Sequence, residues 1–315
     1  MLSVVSLGDL VADLVFHIQQ LPVEHERHQH ASAVSVEAGG MGNFLILGAR
    51  LGMRMQSLGV LGSDAFGEAV FTILREEGID VSGIVRSPGS TTTPVLVMVD
   101  QAGQHVFIGG KQAGEIVHFS ESWKATIDQA DALFVSGFTL MEPQMAQVLL
   151  PALEYARQKQ LSILFDPGPF SAELPFALKQ SVMQLSTLIS LTEAEIPLLV
   201  AGAPAGIDIL ADFMAQPTNV TCIKRGGKGC HLIQGQQRVE HPGFAIEVRD
   251  TTGAGDTFAA GLLYGWLQRW PLERIAAFAN AVGAAAAQKV GSGRNVPTRE
   301  EVWKVLEKTP LNIGL

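Results

Sequence analysis

The chain has 315 residues, 47% of them hydrophobic and 17% charged, which is enough apolar material for one large α/β domain and too little charge for a disordered chain. The formal net charge of −9 argues against a nucleic-acid surface, which is normally basic, but not against a nucleotide. A local nest of N–H donors and a metal ion can hold phosphates on an acidic protein. Two cysteines, Cys222 and Cys230, supply neither a zinc site nor a disulfide framework and suit reduced thiols in a cytoplasmic protein. Met1 to Leu7 lacks a basic region and is broken by Gly8-Asp9, so it does not read as a signal peptide. The longest apolar runs fall short of a membrane span and carry Gly and Pro.

Val4 to Leu7 reads as a short buried strand, and Leu10 to Ile18 continues extended with Asp13 alone among apolar residues. Glu24 to His30 is rich in histidine; without a shared helical face for ligands it reads as an exposed turn or lid edge rather than a metal site. Glu37-Ala38-Gly39-Gly40-Met41-Gly42-Asn43 precedes a helix from Phe44 to Leu51 that Gly52 closes. It is not the dinucleotide fingerprint, whose third glycine would fall at Leu45. Its glycines either let loop and sheet pack closely or let a small polar ligand reach the backbone, with Asn43 offering a donor and an acceptor.

Ser57 to Leu61 reads as a strand, and Gly62 to Gly67 opens a helix through Glu77. Val81 to Val85, Thr93 to Asp100 and His105 to Ile108 read as strands, the last two joined by a turn at Gln101 to Gln104. Strands without intervening helices suggest a small sheet projecting from the main body. From about residue 120 strands and helices alternate, which implies a mostly parallel sheet covered by helices. Ligands in such sheets bind beyond the carboxyl ends of the strands. Asp166, Glu195, Lys224 and the 250–256 loop all fall there. Leu272 to Lys289 is an Ala-rich helix containing Asn280, Gly291 to Asn295 is a loop, and Arg299 to Glu307 is a final helix.

Asp250-Thr251-Thr252-Gly253-Ala254-Gly255-Asp256 carries the chemistry. Two glycines within three residues turn the backbone tightly and leave N–H groups bare at a helix start, an anion site by its donors and its partial positive charge. Asp256 is either an N-cap or a base; capping alone needs neither the Gly-Ala-Gly nor the second Asp upstream.

With both glycine motifs in place the chain resembles the ribokinase-like (PfkB) carbohydrate kinases over nearly its whole length. Asp250 to Asp256 resembles that family's C-terminal signature and Ala38 to Asn43, running on to Gly52, its N-terminal one. Leu61 to Gly67 and Gly8 to Asp13 also fit. The resemblance implies one domain over 1–315: a three-layer α/β/α, mostly parallel sheet with a small β lid from about 11–37 and 90–118. It implies ATP-dependent transfer of the γ-phosphate to a primary hydroxyl of a sugar or sugar-like metabolite of the ribose, fructose, 2-keto-3-deoxygluconate or nucleoside class. It makes Asp256 the general base, with the N–H groups of Gly253, Ala254, Gly255 and Asp256 around the phosphoryl group. It puts Asp13, Gly39, Gly40 and Asn43 on the sugar, and Lys224, Gly226, Gly229 and Asn280 along the nucleotide. It also implies that Glu195 orders water on Mg²⁺ and that Asp250 with Thr252 takes a monovalent cation, K⁺. A cytoplasmic homodimer through the lid is expected, since pairing would bury an exposed sheet edge. Three positions depart from the pattern: Thr192 stands where relatives carry Asn, Lys224 where many carry Thr, and Asp166-Pro167 lacks the usual following Asn and Arg. A catalytically silent sugar or nucleotide sensor is the alternative; a dehydrogenase is disfavoured by the missing fingerprint.

Overall fold

The computed structural model describes residues 1–8, 10–25, 28–87, 89–110, 118–141 and 143–307. Asp9 of the opening motif, Glu26 and Arg27 of the histidine-rich run, residues 111–117 of the second lid segment and the end of the chain from 308 lie outside the described residues.

Thirteen strands form two sheets among the described residues: β1 (Ser3–Leu7), β2 (Val11–His17), β3 (Ala33–Gly39), β4 (Arg54–Gly62), β5 (Ile84–Ser87), β6 (Thr93–Val99), β7 (His105–Gly109), β8 (Ala132–Ser136), β9 (Ser162–Asp166), β10 (Leu188–Thr192), β11 (Val220–Lys224), β12 (Cys230–Gln234) and β13 (Gln237–His241). The large sheet runs β13-β12-β11-β10-β9-β8-β1-β4-β5. From β11 to β5 every pairing is parallel; β12 and β13 turn back antiparallel at the edge.

Side chains alternate between the two faces of each strand, and two cores result. Val4, Phe134 and Leu188 join one core under the helices Met41–Arg50, Ala65–Glu76, Ala254–Leu267 and Leu272–Ala287. Val5, Leu133 and Ile189 join the other under Pro143–Gln158, Phe176–Leu185 and Ile209–Ala215. This is the expected three-layer architecture.

The small sheet has the order β3-β2-β6-β7. Its outer pairs are antiparallel and its central pair, β2 with β6, is parallel. The turn between β6 and β7 forms because Asp100 Oδ1 accepts from the N–H groups of Ala102 and Gln104, both at 2.9 Å. Gly103 at its tip has φ +77°, and a Cβ there would come to 2.2 Å from the Arg249 carbonyl, so this tip rests against the segment leading to Asp250.

Three expectations shift. The strand expected at Val81 to Val85 begins only at Ile84, since Val81 to Ile84 is a turn closed by the Ile84 N–H to the Val81 carbonyl. β3 and β13, and the helices Glu121–Ile127 and Ile209–Ala215, are additions. The helix of the C-terminal motif starts at Ala254, two residues before Asp256.

Candidate active site

The site lies at the carboxyl ends of the parallel strands. Gly253 takes the N-cap position of its helix in the left-handed region, φ 71° and ψ 0°, with no side chain capping it. Ala254 donates its N–H to the Thr251 carbonyl at 3.1 Å. Among the described residues that leaves the N–H groups of Gly253, Gly255 and Asp256 without an intrachain acceptor, the donors a first helical turn normally presents. Asp256 lies in this first turn and does not cap it. Its Oδ2 accepts from Asn43 Nδ2 at 3.0 Å instead.

Asn43 is placed by its helix. Gly40, at φ +49°, turns the chain into Met41–Arg50, and the next residue, Phe44, stacks on Phe134 of β8 with ring centroids 3.9 Å apart. The Asn43 side chain is 1% exposed, and its Oδ1 accepts from the Gly293 N–H at 2.7 Å. That bond fixes the amide so that its NH₂ faces Asp256. The close approach explains the glycine of the nest: a Cβ on Gly253 would come to 2.9 Å from Asn43 Nδ2.

Asp13 on β2 is 4% exposed and accepts from the Ser292 hydroxyl at 2.7 Å. Gly39, across the antiparallel β2–β3 pair, has the carboxylate where its own Cβ would be, the nearest oxygen 2.0 Å away, so the glycine makes room for the acid. Burial pushes the Asp13 carboxyl up to about 6, Ser292 opposes it and Glu37 adds to it. Burial likewise pushes Asp256 up to about 7; Asn43 and Lys224 pull it down, while Asp166 and Asp13 push it up. These four charged groups therefore share one electrostatic neighbourhood.

Asp250 is 1% exposed. Its Oδ1 accepts from the Thr252 N–H at 2.9 Å and the Thr252 hydroxyl at 2.8 Å, and its Oδ2 from the Gly291 N–H at 2.8 Å. Both oxygens thus shape the loop. Glu195 accepts from the Thr192 N–H at 2.6 Å and closes a capping box with the Thr192 side chain. Among the described residues no group of three or more His, Cys, Asp or Glu sits together as a metal cage.

Lys224 ends β11 and pairs with Asp166 at the end of β9, Nζ to Oδ2 2.7 Å. Gly226, at φ +56°, and Gly229, at φ +83°, bracket a short 3₁₀ turn after it. A Cβ on Gly229 would come to 1.8 Å from the His241 carbonyl, so this glycine is required by the close β12–β13 crossing. Asn280 does not lie on a helix surface: its Nδ2 donates to the Ala276 carbonyl at 2.7 Å and contacts Cys230 Sγ at 3.0 Å. The histidine-rich run is an exposed loop at its described positions.

One set of functional contacts escaped the sequence reading. The 291–294 loop joins Gly291 to Asp250, Ser292 to Asp13 and Gly293 to Asn43. It also joins Arg294 to Glu37, which is the register partner of Asp13. The signal available was Gly-Ser-Gly, whose two glycines adopt positive φ, 86° and 61°.

A donor nest at a helix start, with an acid inside it and a second, buried acid on the small sheet, has the chemistry for group transfer from an anionic donor to a polar acceptor. The sequence pattern of the pfkB family carbohydrate kinases matches residues 1–299. The chain is 26% identical over 318 residues to fructokinase-1 of Oryza sativa subsp. japonica, covering 96% of this chain and 97% of the relative. It is 26% identical over 310 residues to the ribokinase of Haemophilus influenzae, again covering 96% and 97%. An Escherichia coli structure provisionally assigned as ribokinase II, in complex with ATP and Mg²⁺, superposes with a TM-score of 0.84 at 20% identity, covering 98% of this chain and all of that one. The chain belongs to the pfkB family of carbohydrate kinases and is a sugar kinase of the ribokinase and fructokinase type. No helix among the described residues is long and apolar enough to cross a membrane.

Proposed function

We propose that the protein transfers the γ-phosphate of ATP to a primary hydroxyl of a small sugar or sugar-like metabolite of the ribose, fructose, 2-keto-3-deoxygluconate or nucleoside class, with Asp256 as the general base. The observation that carries this reading is the Asp256 carboxylate in the first helical turn, beside bare N–H groups and oriented by Asn43. The acceptor oxygen bonds to the γ-phosphorus as the bond to the bridging oxygen breaks. ADP leaves with the electron pair, and the hydroxyl proton passes to Asp256. The N–H groups of Gly253, Gly255 and Asp256 face the charge on the transferring group.

Asp13, with Gly39 and Gly40 shaping the backbone beside it, binds acceptor hydroxyls. Asn43, expected on the acceptor, has its Oδ1 taken by Gly293 and its Nδ2 on Asp256, so its main part in this reading is to hold the base. Gly226, Gly229 and Asn280 line the nucleotide's path, and Lys224 reaches its phosphates. Glu195 would hold water on Mg²⁺, which when bound would supply charge neutralisation to the phosphates. A K⁺ ion beside Asp250 and Thr252 belongs to the same reading, and no step is routed through it. The lid also supports a homodimer. The even-numbered residues of its strands form two apolar rows on the face away from Asp13: Val36, Leu14, Leu96 and Ile108, and Val34, Phe16, Met98 and Val106. Val34 and Ile108 are 59% and 55% exposed, the kind of patch a second copy covers. A cytoplasmic location accords with the two free cysteines.

Coupled ADP-release measurements across a panel of sugars, sugar acids and nucleosides test this. Acceptor-dependent ADP formation with one class is expected. ATP binding without turnover on any of them would favour a sensor.

A further inference from the structure

Lys224 and Asp166 form an ion pair whose side chains are only 12% and 15% exposed. β10 lies between their strands, so the pair is not needed to hold β9 and β11 together. An enclosed pair is also a poor source of stability, because removing both charges from water offsets their attraction. Its position says more. A Cβ added at Gly255 would come to 3.8 Å from Lys224 Nζ, and Gly255 is exposed. The ammonium therefore stands at the open side of the nest. Thr192, the register partner of Lys224 on β10, is taken up in its capping box with Glu195 and is not available there. Burial works against the Lys224 charge, but Asp166 and Glu195 hold its pKa above the ordinary lysine value, so it stays cationic.

We propose that Lys224 is a catalytic residue whose ammonium grips the terminal phosphate of the nucleotide through the transfer, and that Asp166 is the positioning residue that holds it over the nest. This rests on the kinase reading above and adds to it a distinction between the terminal phosphate and the rest of the nucleotide. In the transfer the equatorial oxygens of the phosphoryl group meet amides on one side and the ammonium on the other. Between turnovers the Asp166 carboxylate keeps a lone positive charge from being left uncompensated in an enclosed site. The two halves of the pair also act in opposite senses on Asp256, Asp166 raising its pKa and Lys224 lowering it.

The test uses the full chain with Lys224→Met, which keeps length and removes charge, and Asp166→Asn. Lys224→Met should weaken binding of Mg²⁺ with a non-hydrolysable ATP analogue by about tenfold or more, the worth of one charge-assisted bond, and leave ADP binding within about twofold. Its kcat should fall roughly 10²–10³-fold with the acceptor KM within about threefold, as for loss of one transition-state donor. The acid limb of the kcat/KM profile should move to higher pH in Lys224→Met and to lower pH in Asp166→Asn. Equal losses for ADP and the analogue, kcat within about threefold of wild type, or limbs moving in the same direction would overturn the proposal. If wild-type protein phosphorylates no acceptor, the kinase reading falls by itself, and the analogue-against-ADP comparison still decides the role of Lys224.

Discussion

Two acids of the candidate site, one on each sheet-bearing part of the molecule, are built alike up to a point. Asp256 on the body and Asp13 on the lid are both carboxyls whose pKa burial raises, to about 7 and about 6. Each receives one side-chain hydrogen bond from a distant part of the chain, from Asn43 and from Ser292. They differ in what surrounds that bond. Asp256 has an amide for a partner, bare backbone donors beside it and an ammonium nearby. Asp13 has a hydroxyl for a partner and another carboxylate, Glu37, directly across the strand pair. An acid among donors and cations can release and regain a proton while an anion is bound next to it. An acid that already accepts from one hydroxyl and faces a second carboxylate is suited to binding further hydroxyl protons. Burial is the largest cause of each acid's hold on its proton, while its neighbours set the part proposed for it.

The largest effect that would break this contrast is in turnover. Asp256→Asn should lower kcat by roughly 10²–10⁴-fold, the range for losing a general base, with nucleotide affinity retained in calorimetry. Turnover near the wild-type level would remove Asp256 from its role. Asp13→Ala should act on the other parameter. Losing hydrogen bonds from acceptor hydroxyls to a charged group should raise the acceptor KM by roughly 10–100-fold and change kcat much less. A kcat loss as deep as that of Asp256→Asn would mean that both acids serve the chemistry.

Smaller, and read without any variant, is the pH dependence. As the proposed general base, Asp256 must be deprotonated to act. With its pKa raised to about 7, kcat/KM should climb as the pH rises through about 7 and level off above it. A profile already flat at pH 5 would place the base elsewhere. Smaller again is the effect of lid pairing. Ile108→Asp, in the exposed apolar row, should convert a dimer to a monomer in sedimentation while leaving the body folded. A wild-type monomer would remove the role of that face.

The body was far more legible in the sequence than the contacts within the site. Buried parallel strands such as β1 and β8 are continuous apolar runs, and the nest announces itself by glycines that no helix would choose. β13 escaped because Gln237 to His241 is an edge strand with mostly polar residues, which carries no apolar run or alternation. β3 was harder to read for another reason: its alternation, Val34-Ser35-Val36-Glu37, runs straight into the glycine motif at Gly39-Gly40. The partners of the two acids were unreadable because sequence distance hides them. Asn43 and Asp256 are 213 residues apart and Ser292 and Asp13 are 279 apart, and no local pattern specifies such a pair. The departures at Thr192 and Lys224 were visible one at a time. Only the sheet register makes them neighbours.

The smallest expected effect is on stability, and it sharpens the comparison because it needs no substrate. Both acids have folded-state pKa values above the ordinary 3.8. The stability their protonated forms contribute is fully present below about pH 3.8. It declines as the unfolded chain ionises first, and is gone once the pH has passed about 6 for Asp13 and about 7 for Asp256. An Asn at either position cannot ionise, so its advantage over wild type should grow as the pH rises and then plateau. The plateau should come later, and stand higher, for Asp256→Asn. Because Asp256 is only partly buried, solvent reduces the effect to about 1–2 kcal/mol, or about 1.5–3 °C in Tm at pH 8. A Tm difference that does not change between pH 5 and pH 8 would mean that burial does not raise these carboxyls. In that case the separation of the two acids would rest on hydrogen-bond partners alone.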